Sequence, residues 1–142
     1  TGTPSQAELS AMAEETYRIF FAEWTRLERE GGATEPTQPL LDNGSGSYLE
    51  SVIALLQEQQ QSGTTVTGIA SAKVLPAPGG NFDGVDPRLT LAVCEDHSNG
   101  SYQRAGVTYP GGILEGVVYL GWVAGEAKLI GGDTEVVDRC SI

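Results

Sequence analysis

The segment "LAVCEDHSNG" places Cys94, the acids Glu95 and Asp96, and the chain's single histidine, His97, within four consecutive residues. These residue types admit three chemistries. A thiolate beside an imidazole is a nucleophile with its base, provided the thiol is free and a third group orients the ring. Thiolate, carboxylate and imidazole are also metal ligands, but zinc takes three or four protein ligands and the chain has no second histidine to supply one. The third possibility is structural: a strand that delivers a cysteine to a partner and then turns.

The other cysteine, Cys140, stands two residues from the last. A Cys94–Cys140 disulfide would tie down the C-terminal end, closing a loop of about 47 residues worth roughly 4 kcal/mol in the chain-entropy model. Such a bond belongs to an oxidising compartment. Two free thiols are the alternative. If the bond forms, the nucleophile is lost, and His97 is expected to sit exposed in a turn. Glu95 and Asp96 are expected to be solvated, or to pair with Arg104 across a hairpin for at most about 1 kcal/mol.

Other chemistries find less support. A serine triad would have to use His97, and no G-x-S-x-G elbow precedes a helix. The glycine clusters "GGNFDG", "YPGG" and "IGGD" are turn signatures rather than phosphate-binding loops. Tyr109, Tyr119, Glu115 and Asp133 could form a tyrosine–acid proton-transfer site, although no spacing distinguishes them from ordinary strand positions. The reading is therefore no catalytic residue, no metal and no cofactor. The aromatic set Tyr17, Phe20, Trp24, Tyr119 and Trp122 either fills the core or lines a pocket mouth. Phe21, off the main stripe, is expected at the surface, where it would mark a partner surface.

The elements that must position these groups change period midway. From Ser5 to Glu30, Leu9, Met12, Ala13, Thr16, Tyr17, Phe20, Trp24 and Leu27 fall at three-four spacing, the stripe of an amphipathic helix. Ser5 and Glu8 make a capping box, and Gly31–Gly32 end the helix. "ATEPTQPL" reads as a loop or short helical turn. A second helix is predicted over Ser47–Ser62, burying Leu49, Val52, Ile53 and Leu56 and stopped by Gly63; "QEQQQ" falls at its polar end. "DNGSGS" before it reads as a turn and cap, since it lacks the EF-hand spacing.

From Thr64 the period is two. "TTVTGIASAKV" reads as one strand with Val66, Gly68, Ala70, Ala72 and Val74 on one side. Leu75–Pro87 is a turn-rich connection. Leu89, Leu91 and Val93 alternate toward Cys94, "HSNGS" supplies an Asn-Gly hairpin, and Tyr102–Val107 is the return strand. Ile113–Val123 is the most apolar strand. Ala127–Cys140 is the last, interrupted at Gly131–Gly132 by a bulge or tight hairpin. Helices followed by an antiparallel sheet give an α+β fold.

The 142 residues fit one domain over residues 5–142, after a flexible N-terminal tether at residues 1–4. A formal net charge of −11 without a basic stripe disfavours nucleic acid and anionic membrane surfaces and leaves a basic partner open. No apolar run is long enough to span a bilayer.

The order of elements resembles the NTF2-like (cystatin-like) superfamily. The nearer likeness is to small secreted proteins and lipoproteins of actinobacteria or their phages. It is carried by "TYRIFFAEWTRL", "LLQEQQQSG", "TVTG", "LAVCED" and "VVDRCSI". The resemblance implies helices packed on a curved antiparallel sheet as a cone and a paired Cys94 and Cys140. It also implies an exported or envelope-tethered protein, with a lipid anchor upstream. The function expected is non-catalytic binding of an envelope protein or small apolar ligand, superinfection exclusion being one form. The alternatives are a small-ligand carrier or enzyme using the cone interior, and an acidic decoy for a basic partner. A deep pocket with a buried, high-pKa carboxylate would favour the cone interior.

Overall fold

The structure, a computed structural model, describes residues 5–77 and 89–142. The tether at residues 1–4 and most of the turn-rich connection, residues 78–88, lie outside the described residues. Three helices come first: α1 (Gln6–Arg29), α2 (Gln38–Asn43) and α3 (Gly46–Ser62). Seven strands follow: β1 (Thr65–Thr67), β2 (Ser71–Ala77), β3 (Leu89–Asp96), β4 (Ser101–Arg104), β5 (Val107–Pro110), β6 (Ile113–Val123) and β7 (Glu126–Val137). The fold is α+β, with two antiparallel sheets ordered β2-β3-β6-β7 and β1-β4-β5.

The start of α1 follows its sequence. Ser5 Oγ accepts from Glu8 N at 3.1 Å and Glu8 Oε1 accepts from Ser5 N at 3.3 Å, so two of the orphan N–H groups at the helix start are satisfied. Ser5→Ala should lower stability by about 1 kcal/mol, read from the urea midpoint. At the other end Gly32, at φ +97°, lets α1 turn against α3: a Cβ there would lie 2.3 Å from Leu56 O. The segment after it forms α2, shifted toward Asn43 from the expected position, with a proline in its first turn.

In β3 the alternate residues Leu91, Val93 and Glu95 are buried, as are Val118 and Leu120 of β6 and Leu129 of β7. This inner face packs under α1 and α3 through Tyr17, Phe20, Val52 and Leu56. The outer face holds a row across three strands, Lys73 opposite Cys94 opposite Glu115. The C-terminal tail lies over that row. Cys140 bonds to Cys94 (Cα–Cα 5.8 Å), Glu115 accepts from Ser141 N at 2.6 Å, and Lys73 Nζ donates to Ile142 O at 3.4 Å.

Three expected features are corrected. The single strand "TTVTGIASAKV" is two strands in different sheets, broken at Gly68 (φ +87°), where the chain crosses Gly100 so closely that a Cβ on Gly100 would lie 2.0 Å from Thr67 O. Consequently "HSNGS" is no hairpin turn: β3 pairs with β2 and β6, and the chain leaves it to build β4 beside β1. Tyr102–Val107 is not one strand either, because Ala105 (φ +53°) and Gly106 (φ +80°) form the tight turn between β4 and β5. The interruption of the last strand is a bulge. Leu129 pairs with Leu120 and Gly131 with Tyr119, leaving Ile130 as the extra residue.

Candidate functional site

The disulfide removes Cys94 from nucleophilic chemistry. The two acids beside it go to different fates because strand parity separates them. Asp96 accepts from the Ser98 hydroxyl at 2.5 Å and from Ser98 N at 2.8 Å, and these two bonds hold its carboxyl below the usual range. Glu95 takes the inward position after Leu91 and Val93 and is 4% exposed. Its carboxylate accepts the Tyr17 hydroxyl proton. Burial raises its pKa and the nearby charge of Glu28 adds to the rise, while the Tyr17 hydrogen bond opposes it. Burial and the Glu95 charge in turn raise the Tyr17 and Tyr48 phenols. The expectation of a solvated Glu95, or one paired with Arg104, is therefore overturned. Arg104 pairs with Glu58 at 2.5 Å instead.

Glu28 connects this buried pair to a cavity of about 400 Å³. That volume lies within the roughly 300–1,000 Å³ of small-molecule sites. The cavity is bounded by the C-terminal halves of α1 and α3, by residues 64–70, and by β4. Leu55, Val66, Ile69, Ala70 and Leu114 give it an apolar lining. Its polar end is Glu28 on α1 and Gln59 on α3, joined by a 2.9 Å hydrogen bond from Gln59 Nε2 to Glu28 Oε2. Burial raises the Glu28 pKa, against the lowering effects of Gln59 and Arg29. Gln59 is 7% exposed, and its Oε1, like the indole Nε1 of Trp24, has no hydrogen-bond partner among the described residues. In native proteins most buried polar atoms are paired, so two orphans beside one cavity mark unused binding capacity.

His97 also lines the cavity. It is half-buried rather than exposed, its ring packed edge-on to Phe21 at 6.0 Å, and burial lowers its pKa. Among the described residues no group of three or more His, Cys, Asp or Glu is placed to hold a metal.

Of the aromatic residues singled out from sequence, Trp24 alone lines the cavity. Tyr17, Phe20 and Phe21 are core residues; Phe21, 7% exposed, is not the surface group expected, because it stacks on Tyr17 at 5.7 Å and meets His97. Tyr119 stands opposite Thr90 on the outer face, and Trp122 is exposed near the β6–β7 turn. Of the suggested tyrosine–acid set, Tyr109 stacks on Tyr102 in the small sheet, and Glu115 holds Ser141. A buried tyrosine–acid pair among the described residues is Tyr17–Glu95. Sequence reasoning missed Glu28, Gln59 and Tyr48. Gln59 had a signal, since Val52, Leu56 and Gln59 follow four-three spacing; it belongs to the buried face, not to a polar helix end.

No protein-family model matches the chain, and no curated protein matches it in sequence. No helix among the described residues is long and apolar enough to cross a membrane.

Proposed function

We propose that this chain is an exported NTF2-like domain that binds a small ligand in the cavity between α1, α3 and the β1–β4 arm. The observation that carries this reading is the juxtaposition of an apolar lining with the half-buried Glu28 and buried Gln59, whose acceptor Oε1 is unpartnered. Pockets of this kind, mostly apolar with a few polar groups converging at one end, bury a ligand's body and fix its head. A high-pKa carboxyl in the same cavity belongs to the cone-interior reading rather than to a protein-docking surface. The chemistry assigned is binding. Glu28 can exchange a proton with a ligand, and the disulfide leaves no free thiol to attack one.

The exported, envelope-tethered setting, in an actinobacterium or its phage, rests on the motif resemblance together with the Cys94–Cys140 bond, which is consistent with an oxidising compartment.

The test is displacement of a neutral apolar dye, N-phenyl-1-naphthylamine. The wild type should enhance its fluorescence saturably. Ala70→Trp, which fills the cavity, should weaken dye binding by at least about tenfold with the fold retained by circular dichroism. Dye binding unchanged by Ala70→Trp would place the apolar site elsewhere and end this reading.

A further inference from the structure

Resting on the cavity reading above, we infer that the ligand is a monocationic amine with an apolar body, its ammonium seated against Glu28 and Gln59 and its body along the lining toward Leu55 and Ile69. The argument is one of hydrogen-bond capacity. At the polar end the donors of Gln59, Thr25 and Arg104 are committed, while the indole N–H of Trp24 is unpartnered. Gln59 Nε2 is spent on Glu28. The Thr25 hydroxyl donates back to its own helix, to Phe21 O at 2.9 Å. Arg104 is held by Glu58 across the mouth. What the Glu28–Gln59 pair itself leaves over is acceptor capacity: the second oxygen of Glu28 and the unpartnered Oε1 of Gln59. An ammonium offers three donors and no acceptor, so it satisfies such an end, whereas a carboxylate would meet it with like charge. The Trp24 ring beside these groups adds a face that attracts cations.

The rest of the cavity's charge agrees. Arg29 on its own helix and Glu95 on β3 interact with Glu28, and Glu58 on α3, His97 in the following connection and Arg104 on β4 line the same cavity. Arg104 and Glu58 cancel, and His97, its pKa lowered by burial, is neutral near neutral pH. Arg29 acts on Glu28, and the Glu28 charge in turn reaches Glu95. A bound cation would make up the missing positive charge. It would also favour the ionised form of Glu28, whose pKa burial raises. Amine binding should therefore strengthen as pH rises through that raised value, with the amine itself staying protonated.

The experiment is competition with N-phenyl-1-naphthylamine by three molecules sharing one body: 2-phenylethylamine, 2-phenylethanol and 3-phenylpropionate. The amine should compete at least about tenfold better than either of the others near neutral pH, the size expected of one charge-assisted hydrogen bond. Its advantage should shrink as pH falls through the raised Glu28 value and the carboxylate takes up its proton. In Glu28→Gln the amine should fall to the level of the alcohol and lose its pH dependence. A circular dichroism spectrum matching the wild type shows that this variant keeps its fold. If the alcohol or the acid competes as well as the amine against a dye that Ala70→Trp still expels, the ammonium is wrong and the cavity reading stands. A dye indifferent to Ala70→Trp overturns both.

Discussion

Replacing Tyr17 by Phe should lower stability by about 3 kcal/mol near neutral pH, as expected when a buried carboxylate loses its partner. Tyr17 and Glu95 are 78 positions apart, and each is almost wholly enclosed. Phe fills the same space, so the change removes one oxygen and creates no cavity. What remains is a carboxylate facing Tyr48 and the Glu28 charge without its hydrogen-bond donor. The sign of the pH dependence follows from the direction of the Glu95 shift. Its folded-state pKa lies above that of the unfolded chain, so the folded state binds the proton more tightly. The contribution of Glu95 to stability is therefore greatest below the ordinary carboxylate range and is lost as pH climbs through the raised value. The Tyr17 hydrogen bond pulls that value down, so Tyr17→Phe raises it further and extends the loss to higher pH. At a pH below the ordinary carboxylate range, where Glu95 is protonated, the variant should cost only about 1 kcal/mol, the worth of a neutral hydrogen bond. Urea midpoints at the two pH values give the comparison. A cost equal at both would show that Tyr17 does not serve a titrating Glu95. Glu95→Gln, which keeps an acceptor for Tyr17 and removes the charge, should flatten the pH slope.

The helices and the large sheet were legible because each has one dominant period. The three-four stripe of α1 runs unbroken from Leu9 to Leu27, and Ser5 and Glu8 announce its start. The span Ile113–Val123 is apolar enough to be read without ambiguity. The candidate site was legible only in part, for a physical reason. Polarity was taken as a sign of exposure, yet Glu95 continues the inward parity of Leu91 and Val93, and Gln59 continues the spacing of Val52 and Leu56. Each is a polar residue at a core position, bonded to a residue distant in sequence: Glu95 to Tyr17, and Gln59 through its Nε2 to Glu28. No local pattern contains those partners. The small sheet was misread for a related reason. Gly68 and Gly100, distant in sequence, permit a backbone crossing that diverts β1 and β4 away from β2 and β3. Asn99–Gly100 carries the signature of a hairpin turn, and the crossing overrides it.

Removing the disulfide, as Cys94→Ala with Cys140→Ala, should cost roughly 4 kcal/mol in the chain-entropy model for a loop of this length. For a domain of this size that corresponds to a fall in Tm on the order of 10 °C. The loop joins β3, in the middle of the sheet, to a tail with few other anchors: the bonds of Ser141 to Glu115 and of Lys73 to Ile142. These contacts are exposed and weak alone. Once Cys140 is free the tail should leave the outer face, and that departure has its own reporter. Glu115 is held below the usual carboxylate range chiefly by the backbone N–H and hydroxyl of Ser141. In the variant its pKa should return upward, which carboxyl-detected NMR titration would follow. The inner face gives the contrast. Glu95, adjacent in sequence to Cys94 but on the opposite side of β3, should keep its raised value, because Tyr17, Tyr48 and Glu28 are untouched by the tail. Dye binding in the cavity should likewise persist wherever the variant is folded. A variant that lost both the tail and the cavity together would show that the disulfide holds the sheet itself in shape. Loss of the tail alone assigns the bond to the unfolded chain's entropy and to the outer face, separate from the binding chemistry within.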